Sequence, residues 1–360
     1  MKVLLLEYIT AGGLSDKPLA DALLQEAALM RDALLSDFSE ISGIEILTTY
    51  DVRLGPPQCC YEAIPVYATS NAMGIWQALL TACDAALVIA PETDGVLNQL
   101  TQMLAAANVR NLGSRSYAVE ITSNKYHTYH ALKNAQILTI PTYTASEFLQ
   151  LEFFGHDSVL KDSFNHGCVV KPMDGAGCAE TSYFAEATVL QTWLGAHQPF
   201  VESARFMIQP YQVGTPASIS MLCKEGVAWL LSCNQQIIEV ATKEGAEIDE
   251  INAHHASIQY KGCVVNGLSL HHKDFTTLAL KISAAFPELN GYVGVDVIIH
   301  NEEIYVVEIN PRITTSYIAL RESLKCNPAK LILDLALCTS STFKLPENIA
   351  KDKVVIKLHE

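Results

Sequence analysis

The fold class predicted for this chain is an open parallel α/β lobe followed by an α+β region built on antiparallel strands. Two patterns carry the prediction. Residues 1–107 alternate short apolar runs with stretches of helical period, whereas residues 207–309 carry short apolar runs separated mainly by turns. A length of 360 residues also exceeds what one ordinary core holds, so two or three packed lobes are expected.

In order along the chain, residues 2–8 read as a buried strand, followed by the turn Thr10-Ala11-Gly12-Gly13. Leu19, Leu23, Ala27, Met30 and Leu34 recur at helical spacing, which predicts a helix over residues 19–37. Residues 44–49 and 85–90 read as the second and third strands, with helices expected at 71–83 and 95–107. After Gly113 the pattern changes, and the first boundary is expected at 112–116. A helix is expected over 117–133, an extended stretch from Pro141, a strand at 168–171 and a Gly-rich loop at 174–181. Strands at 207–210, 217–222, 227–233, 294–300 and 304–309 suggest an antiparallel meander. Helices are expected at 279–286 and within 318–338.

Composition narrows the class of function. Hydrophobic residues at 49% against 18% charged describe a globular chain. The net charge is −15 and no Lys/Arg cluster is present, so nucleic acid is not an expected partner. The ten cysteines include no C-x-x-C pair, and read as reduced thiols of a cytosolic protein. The apolar start at Met1 ends at Glu7, too short for a signal peptide, and no window reaches the length of a membrane span. A cytoplasmic protein with no membrane partner is expected.

Four elements carry chemistry. The strongest is Gly291-Tyr292-Val293-Gly294-Val295-Asp296, followed by Val307-Glu308-Ile309-Asn310-Pro311-Arg312. Residues two apart on a strand share a face, so Glu308 and Asn310 point together while Val307 and Ile309 are expected to face the core. A turn at Asn301-Glu302-Glu303 returns the strand of Asp296 beside them. Three oxygen donors on one face suit Mg²⁺, and the guanidinium fork of Arg312 suits a phosphate or carboxylate. The second element is Lys171-Pro172-Met173-Asp174-Gly175-Ala176-Gly177-Cys178-Ala179-Glu180. Its small residues admit phosphate oxygens to backbone N–H groups, yet it is not a Walker A loop. The third is Ser123-Asn124-Lys125, expected on a helix, and the fourth Ile208-Gln209-Pro210-Tyr211, a strand ending at a Gly turn. Taken alone, a Gly-x-Gly turn or a helical Lys is usually structural. His254-His255 and His271-His272 are not natural chelates, because adjacent strand residues point apart.

In this order, over residues 116–340, the four elements resemble the ATP-grasp superfamily. The resemblance implies a two-lobed domain that closes on ATP between antiparallel sheets. Residues 1–115 would be the N-terminal substrate lobe, 116–206 the small lobe with its Gly-rich lid, and 207–360 the large lobe with the metal site and C-terminal helices. Lys125 and Lys171 would contact nucleotide phosphates, Gly175, Ala176 and Gly177 would form the lid, and Gln209 and Tyr211 would lie at the adenine hinge. Asp296, Glu308 and Asn310 would hold one or two Mg²⁺, with Mn²⁺ as a substitute. Arg312 and Lys171 would serve the transferring phosphoryl group. Many relatives carry a Glu at the hinge where this chain reads Gln209-Pro210-Tyr211, so the ribose contact is unassigned, with Ser218 and Glu239 as candidates.

The turns at Glu7-Tyr8-Ile9-Thr10-Ala11-Gly12-Gly13 and Pro91-Glu92-Thr93-Asp94 follow the first and third expected strands. With Asn310-Pro311-Arg312-Ile313-Thr314-Thr315-Ser316, they are similar to the tyramine–glutamate ligase branch, which acts in methanofuran-type cofactor synthesis. That similarity implies small-molecule carboxylate and amine substrates, glutamate with tyramine or tyrosine, joined through an acyl-phosphate. Glu7, Gly12, Gly13, Glu92, Thr314 and Ser316 would serve the substrates, with Glu7 or Glu92 accepting the amine's proton or binding its ammonium form. Members of the superfamily are often homodimers. Two rival readings use the same elements: a ligase for another carboxylate and amine, D-alanine-ligase-like or carboxylase-like, and a nucleotide-binding sensor without catalysis. The absence of a biotin or lipoyl carrier segment weighs against the carboxylase, and the presence of Asp296, Glu308 and Asn310 against the sensor.

Overall fold

A short apolar run flanked by helices can bury both faces only in the middle of a layered sheet, and Val3–Leu6 do so. The computed structural model describes residues 1–58, 61–151, 162–175, 178, 180–242 and 255–358. Its first lobe contains β1 (Lys2–Glu7), α1 (Asp21–Ser39), β2 (Glu45–Asp51), β3 (Glu62–Val66), α2 (Ala72–Leu80), β4 (Ala85–Ile89), α3 (Val96–Ala106) and β5 (Arg110–Asn111). The strands pair in parallel in the order β3-β2-β1-β4-β5. The strand β3 was not expected: it is short and contains Pro65, which an edge position tolerates. One face of the sheet packs on Leu34 and Phe38 of α1, the other on Trp76 of α2 and Leu100 of α3.

The expected helix over 117–133 is two helices, α4 (Ser116–Ser123) and α5 (Lys125–Asn134). Asn124 leaves helical geometry at φ −104°, and its Oδ1 accepts the N–H groups of Tyr126 and His127, each at 3.0 Å. Asn is favoured at such an N-cap. Lys125 therefore opens α5 rather than sitting along a continuous helix.

Beyond it lie β6 (Tyr143–Thr144), α6 (Ala145–Leu149), β7 (Cys168–Pro172), β8 (Ser182–Phe184), α7 (Ala187–Ala196), α8 (Gln198–Glu202), β9 (Phe206–Pro210), β10 (Thr215–Lys224), β11 (Val227–Thr242) and β12 (His255–Val265). They are followed by α9 (His272–Ala285), β13 (Gly291–His300), β14 (Glu303–Asn310), α10 (Leu320–Leu324), α11 (Pro328–Leu337) and β15 (Val354–Lys357). A second sheet runs β14-β13-β10-β11-β12-β8-β7-β9-β6, with β15 on β12, and its pairs are antiparallel. The strand β12 was not expected, and β9 pairs with β6 and β7. The smaller lobe thus continues through Pro210, and the boundary expected between 206 and 207 falls inside a strand.

The chain after β14 returns to the first lobe. Tyr317 donates to Asp37 Oδ2 at 2.9 Å and Arg321 pairs with the same carboxylate at 3.1 Å, which ties α1 to the C-terminal helices. The eight described cysteines are free, and no described helix is long and apolar enough to cross a membrane.

Candidate active site

A cavity of about 300 Å³ opens where the ends of β1 and β4, the smaller lobe and the hairpin β13–β14 meet. Across that hairpin Asp296 stands opposite Glu308, and Gly294 opposite Asn310. A Cβ at Gly294 would lie 2.6 Å from the Thr314 side chain, so this position needs a glycine for room. The register then slips: Val297 pairs with Val306, and Val307 is the extra residue of a β-bulge. Val307 lines the cavity, contrary to the expected core position, while Val306 and Ile309 are buried. Strict alternation cannot foresee such an insertion.

Asp296 Oδ1 accepts the Gln236 amide at 2.9 Å and Oδ2 the Asn310 amide at 3.3 Å. Burial and the neighbouring Glu308 charge push Asp296 far above the usual carboxylate range. Burial also acts to raise Glu308, but Lys125, Lys171 and a hydrogen bond from Asp296 outweigh it and hold Glu308 low. Two carboxylates this close ionise one at a time. Among the described residues no group of three or more His, Cys, Asp or Glu side chains could hold a metal. The oxygen donors grouped here are two carboxylates and the Asn310 amide. Such all-oxygen sites suit Mg²⁺, and a divalent ion between the paired acids would replace the proton they otherwise share.

Two lysines converge on this pair. Lys125 Nζ donates to the Gly175 carbonyl at 2.7 Å and lies 3.4 Å from Glu308 Oε2. Lys171 is buried on β7; burial lowers its pKa to about 8 despite the opposing pull of Glu308, and the Lys125 charge adds to the lowering. The loop after β7 begins against the first lobe, where Asp174 Oδ2 accepts the Asp94 N–H at 3.0 Å. Ala176 and Gly177 lie outside the described residues. Cys178 lines the cavity, its thiol pushed up to about 12 by burial, and Glu180 turns outward to pair with Arg205.

At the expected adenine hinge, Gln209 is buried and donates to Thr142 Oγ1 at 2.8 Å. The Tyr211 N–H donates to the Gly167 carbonyl at 3.0 Å. Ile140 and Val169 of the smaller lobe, with Pro216 and Ile298 of the larger, give this end apolar walls. Ser218 lines the cavity. Glu239 is outside the lining set and lies 3.6 Å from Lys261.

At the opposite end, Arg312 and Glu92 form a buried two-pronged ion pair at 2.8 and 2.9 Å, joining the loop after β4 to the loop after β14. Thr314 and Ser316 share a buried hydroxyl network with Tyr292 at 3.0 and 3.2 Å. Glu7 is engaged by its own turn, accepting from Thr10 N–H at 2.8 Å, the Thr10 hydroxyl at 2.7 Å and Ile9 N–H at 3.3 Å. Gly12 and Gly13 are not among the residues lining the cavity: a Cβ at Gly12 would meet Val66 at 2.6 Å, and one at Gly13 the Tyr8 ring at 2.3 Å. The glycines of this turn thus make room for neighbouring side chains.

Gln236 and Glu26 are polar cavity residues that escaped the sequence reading. Gln236 shares a face of β11 with Asn234, and that spacing of amides within an apolar strand is a legible signal. Glu26 lies among the apolar positions of α1 and carries no such signal.

Residues 122–316 match the family model of the ATP-grasp domain, and residues 44–119 match the pre ATP-grasp 3 domain. The chain is 30% identical over 357 residues to a tyramine–L-glutamate ligase of Methanocaldococcus jannaschii, spanning 98% of this chain and 94% of that protein. Its fold is similar to the crystal structure of an ATP-grasp superfamily protein from Archaeoglobus fulgidus, with TM-score 0.66 and 22% identity over 100% of both chains. It is also similar to the biotin carboxylase domain of Hydrogenobacter thermophilus 2-oxoglutarate carboxylase, solved with MgADP and bicarbonate. That match has TM-score 0.63 and 13% identity over 97% of this chain and 72% of that one.

Proposed function

Because this chain belongs to the ATP-grasp family, we propose that it joins the side-chain carboxylate of glutamate to tyramine or a related aromatic amine, in methanofuran-type cofactor synthesis. It is an ATP-dependent carbon–nitrogen ligase that uses Mg²⁺. The observation that supports the reading is one cavity lined by Lys125, Lys171, the Asp296–Glu308 pair and Arg312, and continuous with the crevice of the first lobe.

In this reading Ile140, Val169, Pro216 and Ile298 enclose the adenine, and Lys125 and Lys171 hold phosphate oxygens. An anion beside Lys171 offsets the burial that lowers its pKa, so nucleotide binding keeps it charged. Asp296, Glu308 and Asn310 would hold one or two Mg²⁺, which neutralise charge on the phosphates, and Mn²⁺ would substitute. The substrate carboxylate attacks the γ-phosphate, giving ADP and an acyl-phosphate. Arg312, oriented by Glu92, stabilises the transferring group. The loop from Asp174, anchored on Asp94, excludes water until the free amine attacks the acyl carbon and phosphate leaves, taking up the proton that the nitrogen loses. The net charge of −15 without a Lys/Arg cluster supports small molecules rather than nucleic acid as partners.

The test is ADP release from MgATP with glutamate and single amines. The expected result is release that requires both glutamate and an aromatic amine, with a conjugate of matching mass. Absence of release with every pair, despite tight MgATP binding, would overturn the reading.

A further inference from the structure

The chain order of the parallel sheet reverses between β1 and β4: from β1 it runs outward through β2 and β3, then returns to β4 on the other side of β1. Open α/β sheets bind ligands in the crevice outside the strand ends at such a point. Here Ile9 follows β1, Ile89 and Pro91 end β4, and Leu23, Ala27 and Met30 of α1 complete an apolar wall. Two carboxylates line this end of the cavity, and Glu7 is already satisfied by Thr10 and Ile9; Glu92, outside the lining, is taken by Arg312. Glu26 differs. Its Oε1 accepts the Thr315 hydroxyl, and its Oε2 accepts from no partner among the described residues. Helical spacing puts it on the same face of α1 as Leu23, Ala27 and Met30. Among the described cavity-lining residues the only Lys and Arg are Lys125, Lys171 and Arg312. The first two lie at Glu308, and the third is paired with Glu92, its charge reaching Glu26 without a hydrogen bond or ion-pair contact to it.

We propose that Glu26 is the specificity-determining residue for the amine, binding the ammonium group of an arylalkyl amine whose ring lies against Leu23, Ala27 and Met30. The proposal rests on the ligase reading above. An amine with no carboxylate of its own satisfies this crevice, since one positive group meets one free carboxylate oxygen. An α-amino acid would bring a second carboxylate beside Glu26 with no free cation among the described lining residues to receive it, and like charges held close in a partly enclosed crevice repel. The structure therefore assigns the discrimination between tyramine and tyrosine to Glu26.

Hydroxylamine separates the two halves of the reaction, because it traps an acyl-phosphate as a hydroxamate without the amine. Wild type, Glu26→Gln and Glu26→Asp would each be assayed for glutamate-dependent hydroxamate and for ligation with tyramine, phenethylamine and tyrosine. Glu26→Gln should raise the KM for tyramine by about tenfold or more, the loss expected for a charge-assisted hydrogen bond, with the KM values for ATP and glutamate within about twofold. It should also narrow the preference for tyramine over tyrosine, and Glu26→Asp should recover part of the tyramine KM. An unchanged tyramine KM and preference would overturn the assignment. So would parallel loss of hydroxamate and ligation in both variants, which would put Glu26 on the glutamate or nucleotide side. Failure of wild type to form hydroxamate from glutamate would overturn the ligase reading itself, and this inference with it.

Discussion

Asp296 and Glu308 stand opposite each other across two antiparallel strands, and their crowding ties the proposed metal site to protons. Burial and the Glu308 charge raise Asp296, so the metal-free pair keeps a proton to higher pH than an ordinary aspartate would. The metal-free state binds more protons, and raising the pH therefore favours the metal-bound state. Calorimetry in buffers of different ionisation enthalpy should show Mg²⁺ affinity rising with pH, with release of up to about one proton per site. Affinity independent of pH from acid to neutral would refute the pairing. Glu308→Gln should abolish that release and lower turnover by about 10²-fold or more, while nucleotide binding survives. The Glu308 and Asn310 face was legible because alternation on a strand is a local property. Gln236 holds Asp296 from a strand 60 residues away, and the Glu92–Arg312 pair spans 220 residues, separations that no local pattern encodes.

At the scale of elements, the break between α4 and α5 matters most. Apolar period alone runs through residues 117–133, but the Asn124 side chain competes for backbone N–H groups and starts a new helix. That cap sets the position of Lys125, whose Nζ reaches both Gly175 and Glu308. Asn124→Ala should lower stability by about 1 kcal/mol in denaturant unfolding and raise the KM for ATP, with little change in the KM for glutamate. A stability loss with no change in the ATP KM would separate the cap from the site. The bulge at Val307 teaches the same lesson for strands: one inserted residue moves a side chain from the core into the cavity.

At the scale of the whole molecule, the lobes meet with little space to spare. Gly291, at φ +69°, opens β13 where a Cβ would lie 2.0 Å from the Leu112 carbonyl oxygen, at the junction of the first lobe with the large sheet. Gly291→Ala should cost about 1–3 kcal/mol of stability, from strain and forced separation at the junction. Thermal unfolding would read it, and an unchanged midpoint would show that the junction yields freely. The α/β lobe, the antiparallel region and the β13–β14 hairpin could be read from the sequence because each rests on periodicity within a few residues. The edge strand β3, the strand β12 and the assignment of β9 to the smaller lobe could not, since pairing partners decide them. By itself, then, the sequence determined the class of fold, the oxygen donors on one strand face and the lysines of the cavity. Tertiary structure alone decided that Glu92 is paired with Arg312 and that Glu26 keeps an oxygen with no partner among the described residues. The reason is physical: whether a carboxylate is free depends on donors brought to it from distant segments, and those distances exist only once the lobes have packed.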